Sequence, residues 1–150
     1  IVISVDGNNS NMNWLQSIEA IEDESLPKLK VHFPLVSDHE FEISRKYGLL
    51  QPGTDFIKDI RGVVFIDPDD HIRAFFHYPN EVGRSVDEIL RTLTALQTAD
   101  RHDVLMPSNW QSGDEVLINS PESIEEAEKM VRKSNKDLRK LTWYMWYRKL

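Results

Sequence analysis

Two arginines and the absence of any cysteine frame the chemistry open to this chain of 150 residues. Arg61 stands directly before Gly62 and the apolar run Val63-Val64-Phe65-Ile66. A long cation at the mouth of a buried strand has to be paired or put to use. Arg84 stands just ahead of a helix start, where the positive end of the helix dipole does not favour it. Each is either a structural partner for one of the surplus carboxylates or a cation held at the end of an element to bind an oxyanion or a thiolate. In an α/β fold, strand ends are where sites are built. Having no Cys excludes disulfides, Cys-containing zinc or iron–sulfur sites, and any mechanism in which these 150 residues supply their own thiol.

The other candidates read as structure. His32 and His39 are seven apart, and His71 and His77 six apart, which is no metal-ligand spacing, so the five histidines are expected at the surface or rim. Asp67-Pro68-Asp69-Asp70 starts like a calcium loop, but Ile72 and Tyr78 stand where that loop needs Gly and Glu, leaving a hairpin turn. Gly83-Arg84 at a helix start is a candidate anion site, yet no glycine-rich phosphate loop exists anywhere in the chain.

Composition sets the outer limits. With 18 basic and 25 acidic residues the formal charge is −7, a poor basis for sequence-independent binding to nucleic-acid phosphates. Apolar residues make up 40% of the chain, and a domain of this size buries roughly 70% of its unfolded surface without staples. No apolar run approaches the roughly 18 residues that span a membrane, and no secretory signal pattern is present, so the expected location is the cytoplasm. The chain opens at Ile1 inside an apolar β run and reads as a piece that begins within an element.

The elements that must position the arginines alternate. Ile1–Val5 reads as a buried strand, Asp6-Gly7 as a turn, and Trp14, Leu15, Ile18 and Ile21 as the face of an amphipathic helix. Phe33 to Val36 is a short apolar run. Asp38 is the predicted N-cap of a helix carrying Phe41, Ile43 and Tyr47 and closed by Gly48 at C′. Residues 51–60 read as a loop, 63–66 as a central strand, and 72–78 as an edge strand in a hairpin. Ser85 with Glu88 makes a capping box before a helix through Val86, Ile89, Leu90, Leu93 and Leu96.

From Arg101 the texture changes, which predicts a separate C-terminal subdomain. Val116 to Ile118 is strand-like, and a helix opened by Ser120-Pro121 is predicted to run through Ile124, Ala127, Val131, Leu138 and Leu141. Residues 122–150 hold eight basic and five acidic groups, so the excess acid lies upstream. Four aromatics in the five residues Trp143 to Tyr147 form either a tail folded onto its own domain or a partner surface.

The blocks RGVVFIDPDDHIRAFFHYP, NEVGRSVDEILRTLTALQTAD and VLMPSNWQSGDEVLI, preceded by IVISVD and FPLVSD, resemble the consecutive blocks of a one-cysteine peroxiredoxin of the alkyl hydroperoxide reductase and thiol-specific antioxidant family. The resemblance covers essentially the whole chain. It implies an α/β, thioredoxin-like three-layer fold without its first strands, with residues 1–100 as core and 101–150 as a small α+β extension. It further implies thiol-dependent reduction of hydrogen peroxide and alkyl hydroperoxides, without metal or organic cofactor. Arg61 matches the family's active-site arginine, and Arg84 a second arginine near the same site. The family's PxxxTxxC block, with its nucleophile, does not occur, so these residues alone are expected to be inactive. No cysteine occurs near the C-terminus either, which favours an external thiol as reductant. A homodimer or ring of dimers is implied, with no nucleic acid and no membrane as partner. A cysteine-free thioredoxin-like binding or scaffold module remains the alternative.

Overall fold

The computed structural model describes residues 1–50, 60–132 and 138–150, so the loop expected over 51–60 lies, but for Ile60, outside the described residues. The chain divides into two units, the first being Ile1–Gly62 with His77–Val82 and the second Val63–Phe76 with Gly83–Leu150.

In the first unit β1 (Val2–Ser4) and β2 (Leu35–Ser37) pair in parallel, Val2 opposite Leu35 and Ser4 opposite Ser37. The connection between them carries α1 (Asn8–Glu19), the β-α-β order expected. Asn11, buried on α1, donates to the Asp6 carbonyl at 3.2 Å, and Ser37 Oγ donates to the same oxygen at 2.6 Å. Leu15 and Ile18 are half-buried, whereas Trp14 is exposed and Ile21 lies beyond the helix end.

Asp38 caps α2 (Glu42–Lys46), but not from the N-cap position predicted for it. That position belongs to Phe41, at φ 58°. The buried Asp38 carboxylate accepts from the Ile43 N–H at 3.0 Å, the Ser44 N–H at 2.8 Å and Ser44 Oγ at 2.8 Å. The longer reach arises because a turn, closed by the Phe41 N–H on the Asp38 carbonyl at 2.9 Å, intervenes before the helix. Gly48 at C′ is as expected, at φ 65°, where a Cβ would be strained. The Gly48 N–H reaches the Arg45 carbonyl at 3.2 Å and the Leu49 N–H reaches the Ser44 carbonyl at 2.8 Å, a complete Schellman closure that delivers Leu49 into the core.

β3 (Arg61–Ile66) and β4 (Ile72–Tyr78) form the predicted hairpin. The Asp67–Asp70 turn is closed by the Asp70 N–H on the Asp67 carbonyl at 3.1 Å and the Asp67 N–H on the His71 carbonyl at 3.0 Å, with Asp70 at φ 63°. Phe65 is buried with its ring edge-on to Phe76, centroids 5.2 Å apart. Among the described strands β3 has one neighbour, β4, and its last residue Ile66 is exposed.

In the second unit Ser85 Oγ accepts the Glu88 N–H at 3.3 Å, starting α3 (Val86–His102). The capping box is half formed, because Glu88 turns away to hold Arg91 at 2.6 and 2.7 Å. The buried α3 position is Ala95, which packs with Val104, Trp110 and Val116. Val86, Leu90 and Leu93, expected on the inner face, are exposed.

The C-terminal helix is shorter than predicted. α4 covers Ile124–Arg132, while Leu138 belongs to a strand and Leu141 follows it. Residues 133–137 lie outside the described residues. Strand pairing wins because β6 (Leu138–Lys140) and β5 (Val116–Leu117) flank β7 (Trp146–Arg148) in a three-stranded antiparallel sheet whose middle strand carries the buried Trp146. The start of α4 is set by Ser123, whose Oγ accepts the Glu126 N–H at 3.1 Å. The aromatic run divides: Trp146 is folded onto its own sheet, whereas Trp143 is 71% exposed.

Candidate functional site

The backbone on either side of Arg61 is tied to one residue. The Ile60 N–H donates to the Leu49 carbonyl at 2.6 Å, and Gly62 lies directly against the Leu49 side chain. Leu49 is itself fixed by the Schellman closure of α2. Arg61 therefore opens β3 from an anchored backbone, while its side chain is exposed and makes no hydrogen bond or ion pair with any described residue. The salt-bridge alternative for Arg61 finds no partner among the described residues.

Beside that strand end lies a cavity of about 260 Å³ lined by Ile60, His77, Tyr78, Pro79, Asn80 and Glu81. Its outer wall is a turn, closed by the Val82 N–H on the Pro79 carbonyl at 3.0 Å. No sequence motif points to this cavity, since its described walls come from stretches far apart in the chain.

Arg84 belongs to the second unit. It is exposed, sits one residue before the Ser85 cap of α3, and makes no hydrogen bond or ion pair among the described residues. Gly83 leaves open space where a Cβ would stand, so nothing about its backbone demands a ligand. All five histidines are exposed, as expected. The ligand atoms of His71, Asp67 and Asp69 come within 4.8 Å of one another, but Asp67 Oδ1 already accepts the Asp69 and His71 N–H groups of the turn.

The strong ion pairs are structural. Arg73 meets Asp100 through two hydrogen bonds of 2.8 Å, joining β4 to the last turn of α3. Those bonds raise Arg73 above its ordinary value and hold Asp100 below the usual carboxylate range. Arg139 pairs with Glu115 and lies over the Tyr147 ring at 4.6 Å. Burial raises the Asp38 carboxyl, but the donors from Ser44 and Ile43 outweigh it and leave Asp38 below its ordinary value.

Residues 1–75 match the AhpC/TSA family and residues 95–134 the C-terminal domain of 1-Cys peroxiredoxin. A peroxiredoxin of Methanosarcina mazei is 35% identical over 99% of this chain and 68% of its own length. The chain belongs to the peroxiredoxin family. A second peroxiredoxin, from Thermotoga maritima, is 38% identical over 100% of the chain and 68% of that protein. Among solved structures, a yeast mitochondrial 1-Cys peroxiredoxin superposes with a TM-score of 0.79 at 30% identity, covering 99% of this chain and 68% of that one. The fold is accordingly the thioredoxin-like α/β fold of the peroxiredoxins, and the activity is that of a thiol-dependent peroxidase, not of a binding module. No described helix is long and apolar enough to cross a membrane. Since the chain has no cysteine, the reacting thiol of a peroxiredoxin is not among these 150 residues.

Proposed function

We propose that Arg61 is the cation of the peroxidatic centre and that the thiol it serves lies in a PxxxTxxC segment upstream of Ile1. The observation that carries this reading is the pairing of an anchored backbone with an exposed guanidinium that no described residue neutralises. A nearby cation favours thiolate over thiol, and thiolate is the nucleophile. The thiolate attacks the terminal oxygen of the hydroperoxide, so that an S–O bond forms and the O–O bond breaks. The alkoxide, or hydroxide, leaves with the electron pair and takes a proton. The planar fork of Arg61 offers two donors to the charge growing on those oxygens. Arg84, one residue before the Ser85 cap of α3, is assigned a supporting part in the same chemistry on the resemblance alone.

The sulfenic acid is returned to thiol by two equivalents of an external thiol: the first gives a mixed disulfide and water, the second displaces the protein thiolate. The solved yeast relative is described as resolving its thiol through glutathione and thioredoxin systems, which supports an external reductant here. The chemistry requires no metal or organic cofactor. We assign residues 1–100 to the peroxidase core, residues 101–150 to the extension, and the protein to the cytoplasm as a homodimer or ring of dimers joined through β4. The test is thiol-dependent peroxide consumption. The 150 residues alone are expected at the buffer rate, and joining the cysteine-bearing segment should restore turnover. Turnover by the 150 residues alone would overturn the reading.

A further inference from the structure

With no side-chain partner among the described residues, the Arg61 guanidinium is placed by its backbone. One residue brackets that backbone: the Leu49 carbonyl accepts from Ile60 on one side, and the Leu49 side chain packs against Gly62 on the other. Whatever moves Leu49 moves the root of the Arg61 side chain. Leu49 in turn ends the closure of α2, which has five residues, too short a helix to hold its own geometry. Its other end is held by Asp38. The Asp38 N–H donates to the Ser4 carbonyl at 2.7 Å, at the end of the β1–β2 pair, while Oδ1 of its buried carboxylate takes the Ile43 N–H and Oδ2 takes both the N–H and the Oγ of Ser44. Ser44 is fully buried, and its carbonyl is the one that receives the Leu49 N–H at 2.8 Å. Asp38, Ser44, Leu49 and the two neighbours of Arg61 are thus joined by consecutive direct contacts.

We propose that Asp38 is a positioning residue for Arg61, setting through Ser44 and Leu49 where the guanidinium stands. The proposal rests on the assignment of Arg61 to the reacting centre. A guanidinium displaced from the thiolate and the peroxide oxygens loses part of its charge effect and the aim of its hydrogen bonds, so small displacements cost rate. The carboxylate matters because both of its oxygens accept, and bonds to an ionised acceptor are the strong ones. An amide there would turn its NH2 toward one set of donors and release that side of α2.

The experiment measures the second-order rate constant for cysteine oxidation by hydrogen peroxide, and the thiol pKa from its pH dependence, in the protein carrying its peroxidatic cysteine. Asp38→Asn and Ser44→Ala are each expected to slow oxidation about threefold and to raise the thiol pKa, a fraction of the effect of losing Arg61 itself. Removing the Asp38 negative charge would by itself lower the thiol pKa, so a rise reports position. Ser44→Ala keeps the carboxylate and nearly the same volume, and it carries the test if Asp38→Asn fails to fold. In an Arg61→Ala background neither substitution should alter the rate constant or the pKa further, because nothing is left to position. Val104→Ala opens a cavity in the buried cluster of the second unit and is expected to lower Tm while leaving both readouts at the parent values. Parent values in the Asp38 and Ser44 variants, or equal slowing with and without Arg61, would overturn the positioning role and leave Arg61 in place. If Arg61→Ala itself slows nothing, the assignment of Arg61 falls and the positioning role falls with it.

Discussion

Gly62 and Leu49 approach so closely that a Cβ on Gly62 would overlap Leu49 Cδ2. Leu49 is buried and held by the closure of α2, so it has little room to retreat. Overpacking of this kind costs about 1–3 kcal/mol. Gly62→Ala is therefore expected to lower stability by that amount in urea unfolding. In a Leu49→Ala background the same substitution should cost at least about 1 kcal/mol less, because the overlap has been removed. Equal costs in the two backgrounds would mean that the contact is slack.

Asp38 gives the fold a specific acid sensitivity. Its carboxyl titrates below the ordinary value in the folded state, despite burial, because Ser44 and Ile43 donate to it. A depressed folded value contributes stability above the unfolded pKa of about 4, and that contribution is lost as pH falls toward the folded value. Asp38→Asn is expected to lower Tm by roughly 2–5 °C at neutral pH. Below about pH 4 its Tm should fall less steeply than that of the parent. Parallel slopes would show that Asp38 is not the group responsible.

The aromatic run at the end of the chain separates into two roles. Trp146 fills the middle strand of the C-terminal sheet and donates through Nε1 to the Trp143 carbonyl at 3.0 Å. Trp146→Ala is expected to cost about 3–5 kcal/mol. Trp143 is 71% exposed, and Trp143→Ala should change Tm by less than about 1 °C while weakening self-association. If Trp143→Ala leaves the sedimentation profile unchanged, Trp143 has no part in assembly.

Assembly through β4 has its own test. β3 is the one neighbour of β4 among the described strands, and Phe75 on it is 42% exposed. An apolar edge strand is a template for pairing with a second chain. Phe75→Glu is expected to shift light scattering at micromolar protein from dimer to monomer. A dimer that survives this substitution would move the interface elsewhere.

What the sequence reveals about this fold follows from how local each signal is. The Gly48 closure, the Asp67–Asp70 hairpin turn and the Ser85 cap are written in residues within a few positions of one another, and the structure forms all three. The helix expected to extend to Leu141 failed because Leu138 and Leu141 keep a helical spacing that a short strand also permits, and the deciding partner, β7, lies downstream. The Ser123-x-x-Glu126 spacing, three residues beyond the expected Ser120-Pro121 opening, marks the start of α4. Ala95, the buried residue of α3, carries too little side chain to stand out among leucines. At the site, Arg61 was legible from its position before a strand. Its anchorage on Leu49 and the cavity beyond Ile60 depend on contacts between separate stretches that no motif records.

Whether Arg61 serves the reacting thiol is decided by stopped-flow oxidation of the peroxidatic cysteine by hydrogen peroxide at neutral pH, run beside a thermal melt. Arg61 is exposed and outside the buried part of β3, so Arg61→Ala should leave Tm within about 2 °C of the parent. The same variant should raise the thiol pKa and slow oxidation by at least about tenfold, through loss of charge beside the thiolate and the departing oxygen. Arg61→Lys keeps the charge without the fork and should fall between the two. If Arg61→Ala instead reacts as fast as the parent while melting well below it, Arg61 is a structural residue and not the cation of the peroxidatic centre.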